Sequence, residues 1–98
     1  MRINTIRSAD KLTIAVEGRL DSQTSPDLEK LVHESLDDVQ QLVFDFTALQ
    51  YISSAGLRVL LYAQKELPKP GSVRVTGCCE DVREIFEITG FSDILTVE

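Results

Sequence analysis

Few residues in this chain invite a catalytic or redox reading. It holds a single histidine, His33, and two cysteines, Cys78 and Cys79, that are adjacent. A histidine with no second ligand one helical turn away and no nucleophile beside it reads as a solvated surface residue. Adjacent cysteines rarely bridge each other, and neither a Cys-x-x-Cys spacing nor a histidine partner is present, so a disulfide framework or zinc site is not indicated. They read as reduced thiols in a tight turn, one of them packed inward. Basic residues are also scarce: ten Lys and Arg against sixteen Asp and Glu leave a formal charge of −6. Affinity for a phosphate backbone or an anionic membrane surface needs clustered cations, so direct nucleic-acid binding and membrane-surface binding are both disfavoured. No run approaches the roughly 18 apolar residues of a spanning helix. The opening "MRINTIRSADKLTIAV" lacks the charged, apolar, small-residue order of a secretory leader, so a cytoplasmic location without membrane insertion is expected. Neither GxxxxGK[ST] nor GxGxxG occurs, and no cofactor is expected.

What is present suits one folded domain over residues 1–98. With 98 residues, 43% of them hydrophobic, the chain is long enough to bury roughly two-thirds of its unfolded surface. Residues 3–7 suit a short strand and Ser8 to Lys11 a turn. "KLTIAVEG" alternates Leu12, Ile14 and Val16 with polar or small residues, which is strand periodicity. Ser25-Pro26 forms a helix start, with Ser25 as N-cap and Asp27 and Glu29 at the positive end of the dipole. Leu28, Leu31, Val32, Leu36 and Val39 then mark a helix over about 26–39. "QLVFDF" (41–46) and "SVRVTG" (72–77) read as strands covered on both faces by helices. Leu57, Leu60, Leu61 and Leu67 define a second helix that stops before Pro68. "KPG" reads as a turn, Glu80-Asp81 opens a third helix that Gly90 closes, and "DILTV" is a final strand. Of the acidic pairs at helix ends, Glu80-Asp81 reads as a solvated terminus and Asp37-Asp38 as a small cost at the unfavourable end of the dipole, neither of them a metal site. The predicted class is α/β: a mixed sheet of four to five strands with about three helices, in the order β-β-α-β-α-β-α-β.

The chemistry concentrates at "YISSAGL", where a strand end meets a helix start. The carboxyl ends of parallel strands are where α/β sheets place their sites. Ser54 is not in a nucleophile elbow, because Ile52 stands where that motif needs glycine, and no base is at hand. Two readings stay open on local chemistry. One serine caps the second helix, which is the commoner use of serine there. Alternatively Ser54 carries a phosphate, which the free N–H groups and the helix dipole would favour.

Three segments bear a resemblance that reorders these readings. "DFTALQYISSAGL" (45–57) resembles the signature of the STAS domain family, specifically its bacterial anti-sigma factor antagonists. "VEGRLDSQTSPDLEKLV" (16–32) is similar to the family's Gly-x-Leu-Asp stretch, and "VREIFEITGF" (82–91) to its closing helix. The resemblance implies a monomeric, non-enzymatic regulator with a STAS-type mixed sheet. Its unmodified form would bind an anti-sigma factor that is a serine kinase of the histidine-kinase-like ATPase fold, freeing the sigma factor. Phosphorylation by that kinase would inactivate it, and a PP2C-type phosphatase would restore it.

Aligned through Gly56-Leu57, the implied phosphoacceptor is Ser54, with Ser53 as the second choice. Asp21, Ser53, Ser54, Gly56, Leu57 and Arg58 are the implied partner-binding residues. Many antagonists carry Asp where this chain has Ser53, and Ala55 replaces a hydroxyl found in some relatives. Asp45 begins the motif and is expected to tie down the loop before the serines. STAS domains also serve membrane transport, in lipid-trafficking ABC systems and anion transporters, which leaves a transport-regulating subunit as the alternative implied function.

Overall fold

The computed structural model describes residues 1–67 and 71–98. Strand β1 (Arg2–Ser8) turns back through Ala9 and Asp10, with Ala9 at φ 54°, into β2 (Lys11–Leu20). The two pair antiparallel, Ile3 opposite Val16 and Ile6 opposite Thr13. Helix α1 (Ser25–Ser35), β3 (Gln41–Asp45), β4 (Leu49–Ile52), α2 (Ser54–Glu66), β5 (Ser72–Thr76) and α3 (Glu80–Thr89) follow. A short 3-10 turn at Phe91–Asp93 leads to the two-residue β6 (Thr96–Val97). The sheet runs β1-β2-β3-β5-β6, with β4 attached to β2 beside β3.

Strand β2 changes partner along its length, and this positions the site. Its first half pairs parallel with β3, from Lys11–Gln41 to Ala15–Asp45, and its last residues pair parallel with β4, ending at Leu20–Ile52. The register slips between Gly18 and Arg19. Gly18 sits at φ 93° and donates its N–H to the Ala48 carbonyl at 3.0 Å. A left-handed backbone there favours glycine, and the kink redirects β2 from β3 to β4.

One face of the sheet carries the core. Leu12, Ile14 and Val16 of β2, Leu42 and Phe44 of β3, and Val73 and Val75 of β5 are buried against Leu28 and Val32 of α1 and Val59, Leu60 and Ala63 of α2. Each such large side chain withdrawn from water contributes about 1.5–3 kcal/mol. Phe86 of α3 stacks on Phe46 with centroids 6.5 Å apart, closing the core beyond the end of β3.

Several sequence expectations need correction. Helix α1 ends at Ser35 rather than near 39: Leu36 and Val39 are buried in a turn in which Val39 N–H reaches the Leu36 carbonyl at 3.1 Å and Asp38 takes φ 63°. Their apolar spacing reflects a turn folded onto the core. The β5 strand is not buried on both faces, because Arg74 and Thr76 are only half-buried on the side away from Val73 and Val75, whereas in β3 Val43 is buried on the face opposite Leu42 and Phe44. β4 falls in a segment read as loop, and "DILTV" is mostly a turn, leaving two residues of strand. The expected "KPG" turn lies mainly outside the described residues.

Candidate functional site

The register between β2 and β4 brings two loop starts together. Leu20 pairs with Ile52, so Asp21 and Ser53 leave neighbouring parallel strands at the same edge. Ser53 N–H donates to the Leu20 carbonyl at 2.9 Å, and the Ser53 carbonyl accepts the first helical bond of α2 from Leu57 N–H at 3.0 Å. Ser53 holds extended backbone, φ −99° and ψ 178°.

The two serines have opposite environments. The Ser53 hydroxyl is buried and, among the described residues, has no hydrogen-bond partner, so this residue occupies the N-cap position without capping through its side chain. Ser54 is the first helical residue and is exposed. The N–H groups of the first turn have no intrahelical acceptor by helix geometry, and α2 has no acidic side chain there to complement them.

Gly56 and Leu57 face inward. A Cβ on Gly56 would lie 2.7 Å from Ile52 Cγ1 and 2.8 Å from Leu20 Cγ. Only a residue without a side chain lets α2 settle this closely onto the ends of β2 and β4. Leu57 is 6% exposed and belongs to the core, so of the residues named for partner binding these two shape the surface from beneath. Arg58, one turn after Ser54, is exposed.

Asp21 has a structural task that its place in the motif did not reveal. Its Oδ1 accepts the N–H groups of Gln23 at 3.0 Å and Thr24 at 3.1 Å, and its own N–H donates to the Thr24 hydroxyl at 2.9 Å. Thr24 in turn bonds the Arg19 carbonyl at 2.9 Å. The backbone bonds from Gln23 and Thr24 hold the Asp21 carboxyl below its ordinary pKa. This Asx turn leads into α1, whose N-cap is Thr24 rather than the expected Ser25; the Ser25 hydroxyl is buried and has no partner among the described residues. The spacing Asp-x-x-Thr before a helix is the signal that would have revealed it.

The surroundings are built to stay in place. Asp45 Oδ1 accepts Thr47 N–H at 3.0 Å and the Thr47 hydroxyl, as expected for a residue that ties down the loop. Arg19 lies over the Tyr51 ring, 4.3 Å from its centroid, a cross-strand pair that sequence reading missed and that only the β2–β4 register creates. A shallow groove of about 230 Å³ runs between the helix starts, with Ser22, Ser25, Pro26 and Glu29 on one bank and Ala55 and Arg58 on the other.

His33 bonds Tyr62 Oη through Nδ1 at 2.7 Å. Tyr62 lies eight residues beyond Ser54 on α2, about 12 Å along the axis, so the imidazole is no base for Ser54. Cys78 is half-buried and Cys79 exposed; desolvation pushes the Cys78 thiol up to about 11. Among the described residues no helix is long and apolar enough to cross a membrane.

The site is thus an exposed serine at a helix start, with Gly56 and Leu57 beside it committed to packing, at the strand ends of a mixed α/β sheet. The sequence model of the STAS domain matches residues 2–98. The chain belongs to the STAS domain family. BtrV of Bordetella bronchiseptica, provisionally named an anti-sigma factor antagonist, is 36% identical over 96 residues, covering 95% of this chain and 83% of its own. The anti-sigma-B factor antagonist of Listeria monocytogenes is 34% identical over 94 residues, covering 94% of this chain and 82% of its own. Among solved structures, an anti-sigma factor antagonist from Mycobacterium paratuberculosis superposes with a TM-score of 0.90 at 23% identity, over 98% of this chain and 83% of that one. The phosphorylated form of the Bacillus cell fate determinant SpoIIAA gives 0.77 at 16% identity, over 99% of this chain and 91% of that one. At these identities the structural likeness speaks for the fold alone.

Proposed function

We propose that this protein is an anti-sigma factor antagonist controlled by phosphorylation of Ser54. Its unmodified form binds an anti-sigma factor that is also a serine kinase of the histidine-kinase-like ATPase fold, and so releases a sigma factor. Transfer of phosphate to Ser54 ends that binding, and a PP2C-type phosphatase reverses it. The protein acts in the cytoplasm as a monomer, and the single contiguous core supports reading residues 1–98 as one domain.

The observation that carries the reading is the contrast between the serines: Ser54 is exposed on the first turn of α2, while the Ser53 hydroxyl is buried. A kinase needs a hydroxyl it can reach. Phosphate adds about −1.5 to −2 charges to a surface whose chain already carries −6. That charge would sit on a fixed helix start and repel or block a partner without unfolding the domain. The relatives' names supply the class of partner.

The test is incubation with the candidate kinase and ATP, followed by phosphopeptide mapping. One phosphate on Ser54 is expected, and none in Ser54→Ala. Ser54→Asp should weaken kinase binding by roughly tenfold or more. Phosphate on Ser53, or at another position with Ser54 unmodified, overturns the acceptor assignment. A kinase that ignores the unmodified protein overturns the antagonist reading.

A further inference from the structure

The arginines of this chain differ in how they are engaged. Arg2 pairs with Glu17 at 3.8 Å, and Arg74 with Glu98 at 3.0 Å. Arg7 donates to the carbonyls of Ala9 and Asp37, Arg19 stacks on Tyr51, and Arg83 lies among Glu80, Glu84 and Glu87 on α3. Arg58 is exposed and, among the described residues, makes no hydrogen bond, ion pair or ring contact. Glu29 lines the same groove across from it, yet the two form no salt bridge.

Arg58 stands four residues after Ser54 on the same continuous helix. Side chains at this spacing are surface neighbours, and those at i+4 project back toward the preceding turn. A guanidinium offers a planar fork of donors that matches phosphate oxygens two at a time. Asp21, the acidic group nearest in the strand register, is turned toward Gln23 and Thr24, so its carboxylate is already occupied.

We propose that Arg58 clasps the phosphate on Ser54, closing an i to i+4 ion pair across the first turn of α2. The clasp rests on the reading of Ser54 as the acceptor. It makes the modification act on two groups at once: a dianion is added, and the one uncommitted guanidinium beside it is withdrawn from the surface a partner would meet. Arg58 is thus a positioning residue for the modified state and has no role in the transfer chemistry.

The test installs phosphoserine at position 54 during translation, so no kinase is needed, and follows the phosphate by phosphorus NMR titration at low salt. In the otherwise unchanged chain its second ionisation should lie below the ordinary value near 6. Arg58→Ala should raise it by about 0.3 pH units, roughly twofold in the ionisation constant, with Arg58→Lys in between. Most of that difference should vanish at about 1 M salt, where the screening length is about 3 Å. Coincident titrations with arginine and alanine at 58 overturn the clasp, even if a kinase does phosphorylate Ser54. A shift that follows Arg58 supports the clasp even if the kinase experiment places the phosphate elsewhere, which would overturn only the functional reading.

Discussion

Gly56 and Leu20 touch so closely that a single methyl group on the glycine would come within 2.8 Å of the leucine Cγ. With the 2.9 Å bond from Ser53 N–H to the Leu20 carbonyl, this contact fixes the start of α2 to the end of β2. Ser54 is therefore presented by main-chain and core packing rather than by its own interactions.

Gly56→Ala tests that arrangement. Alanine in a helix is favoured over glycine by up to about 1 kcal/mol, and overpacking a tight core contact costs about 1–3 kcal/mol. Ile52 and Leu20 are buried branched side chains with little room to withdraw. The packing cost should win, giving a net destabilisation of about 1–2 kcal/mol in urea unfolding. A gain in stability would mean that α2 can lift from the strand ends without cost.

The Asx turn at Asp21 predicts a specific acid sensitivity. Hydrogen bonds from Gln23 and Thr24 favour the charged carboxylate, so its folded-state pKa lies below the ordinary value of 3.8. Its stabilising contribution is complete above the unfolded value and is lost as pH falls through the lower folded one. Asp21→Asn should lower the thermal midpoint at pH 7, and the gap from wild type should shrink as the pH falls below the ordinary value of 3.8 and through the lower folded one, where the protonated acid resembles the amide. A gap independent of pH would refute the charge as its source.

The parts of this fold that were legible in the sequence share one trait: local pattern and tertiary role agree. The alternation of Leu12, Ile14 and Val16 and the helix from the serines to Leu67 are such cases. Where the two diverge, reading failed. Leu36 and Val39 keep helical spacing but are buried from a turn. Val73 and Val75 alternate with Ser72, Arg74 and Thr76 in the pattern of a one-sided strand, yet the expectation of a doubly covered parallel sheet overrode it. β4 is four residues long and gains its identity from pairing with β2, which no local window contains. At the site, the serines and Asp21 were visible as a motif. The Arg19–Tyr51 stack depends on register, so it was not; Leu57 was already on the apolar stripe by its spacing to Leu60, and only the resemblance placed it among the partner-binding residues.

The adjacent cysteines should react at different rates. Cys79 is exposed, whereas Cys78 is half-buried with its thiol pushed up to about 11 by desolvation. The thiolate is the nucleophile, so at pH 8 only about one Cys78 in a thousand is ionised. Brief alkylation of the folded protein should label Cys79 first, with Cys78 following only in denaturant. Equal labelling of both on peptide mapping would show that the loop opens freely.

Ser53→Ala separates packing from modification. The Ser53 hydroxyl is buried and has no partner among the described residues, and a group so placed carries a desolvation cost that no hydrogen bond offsets. Removing it should leave stability within about 0.5 kcal/mol of wild type or raise it by up to about 1 kcal/mol. The backbone bonds of residue 53 to Leu20 and Leu57 are untouched by the change, so α2 begins at the same place and Ser54 stays exposed. Phosphate incorporation by a cognate kinase should therefore proceed at a rate close to wild type in Ser53→Ala and disappear in Ser54→Ala. A variant at 53 that folds as stably but accepts no phosphate would show that the buried hydroxyl turns outward in the kinase complex and takes part in positioning Ser54.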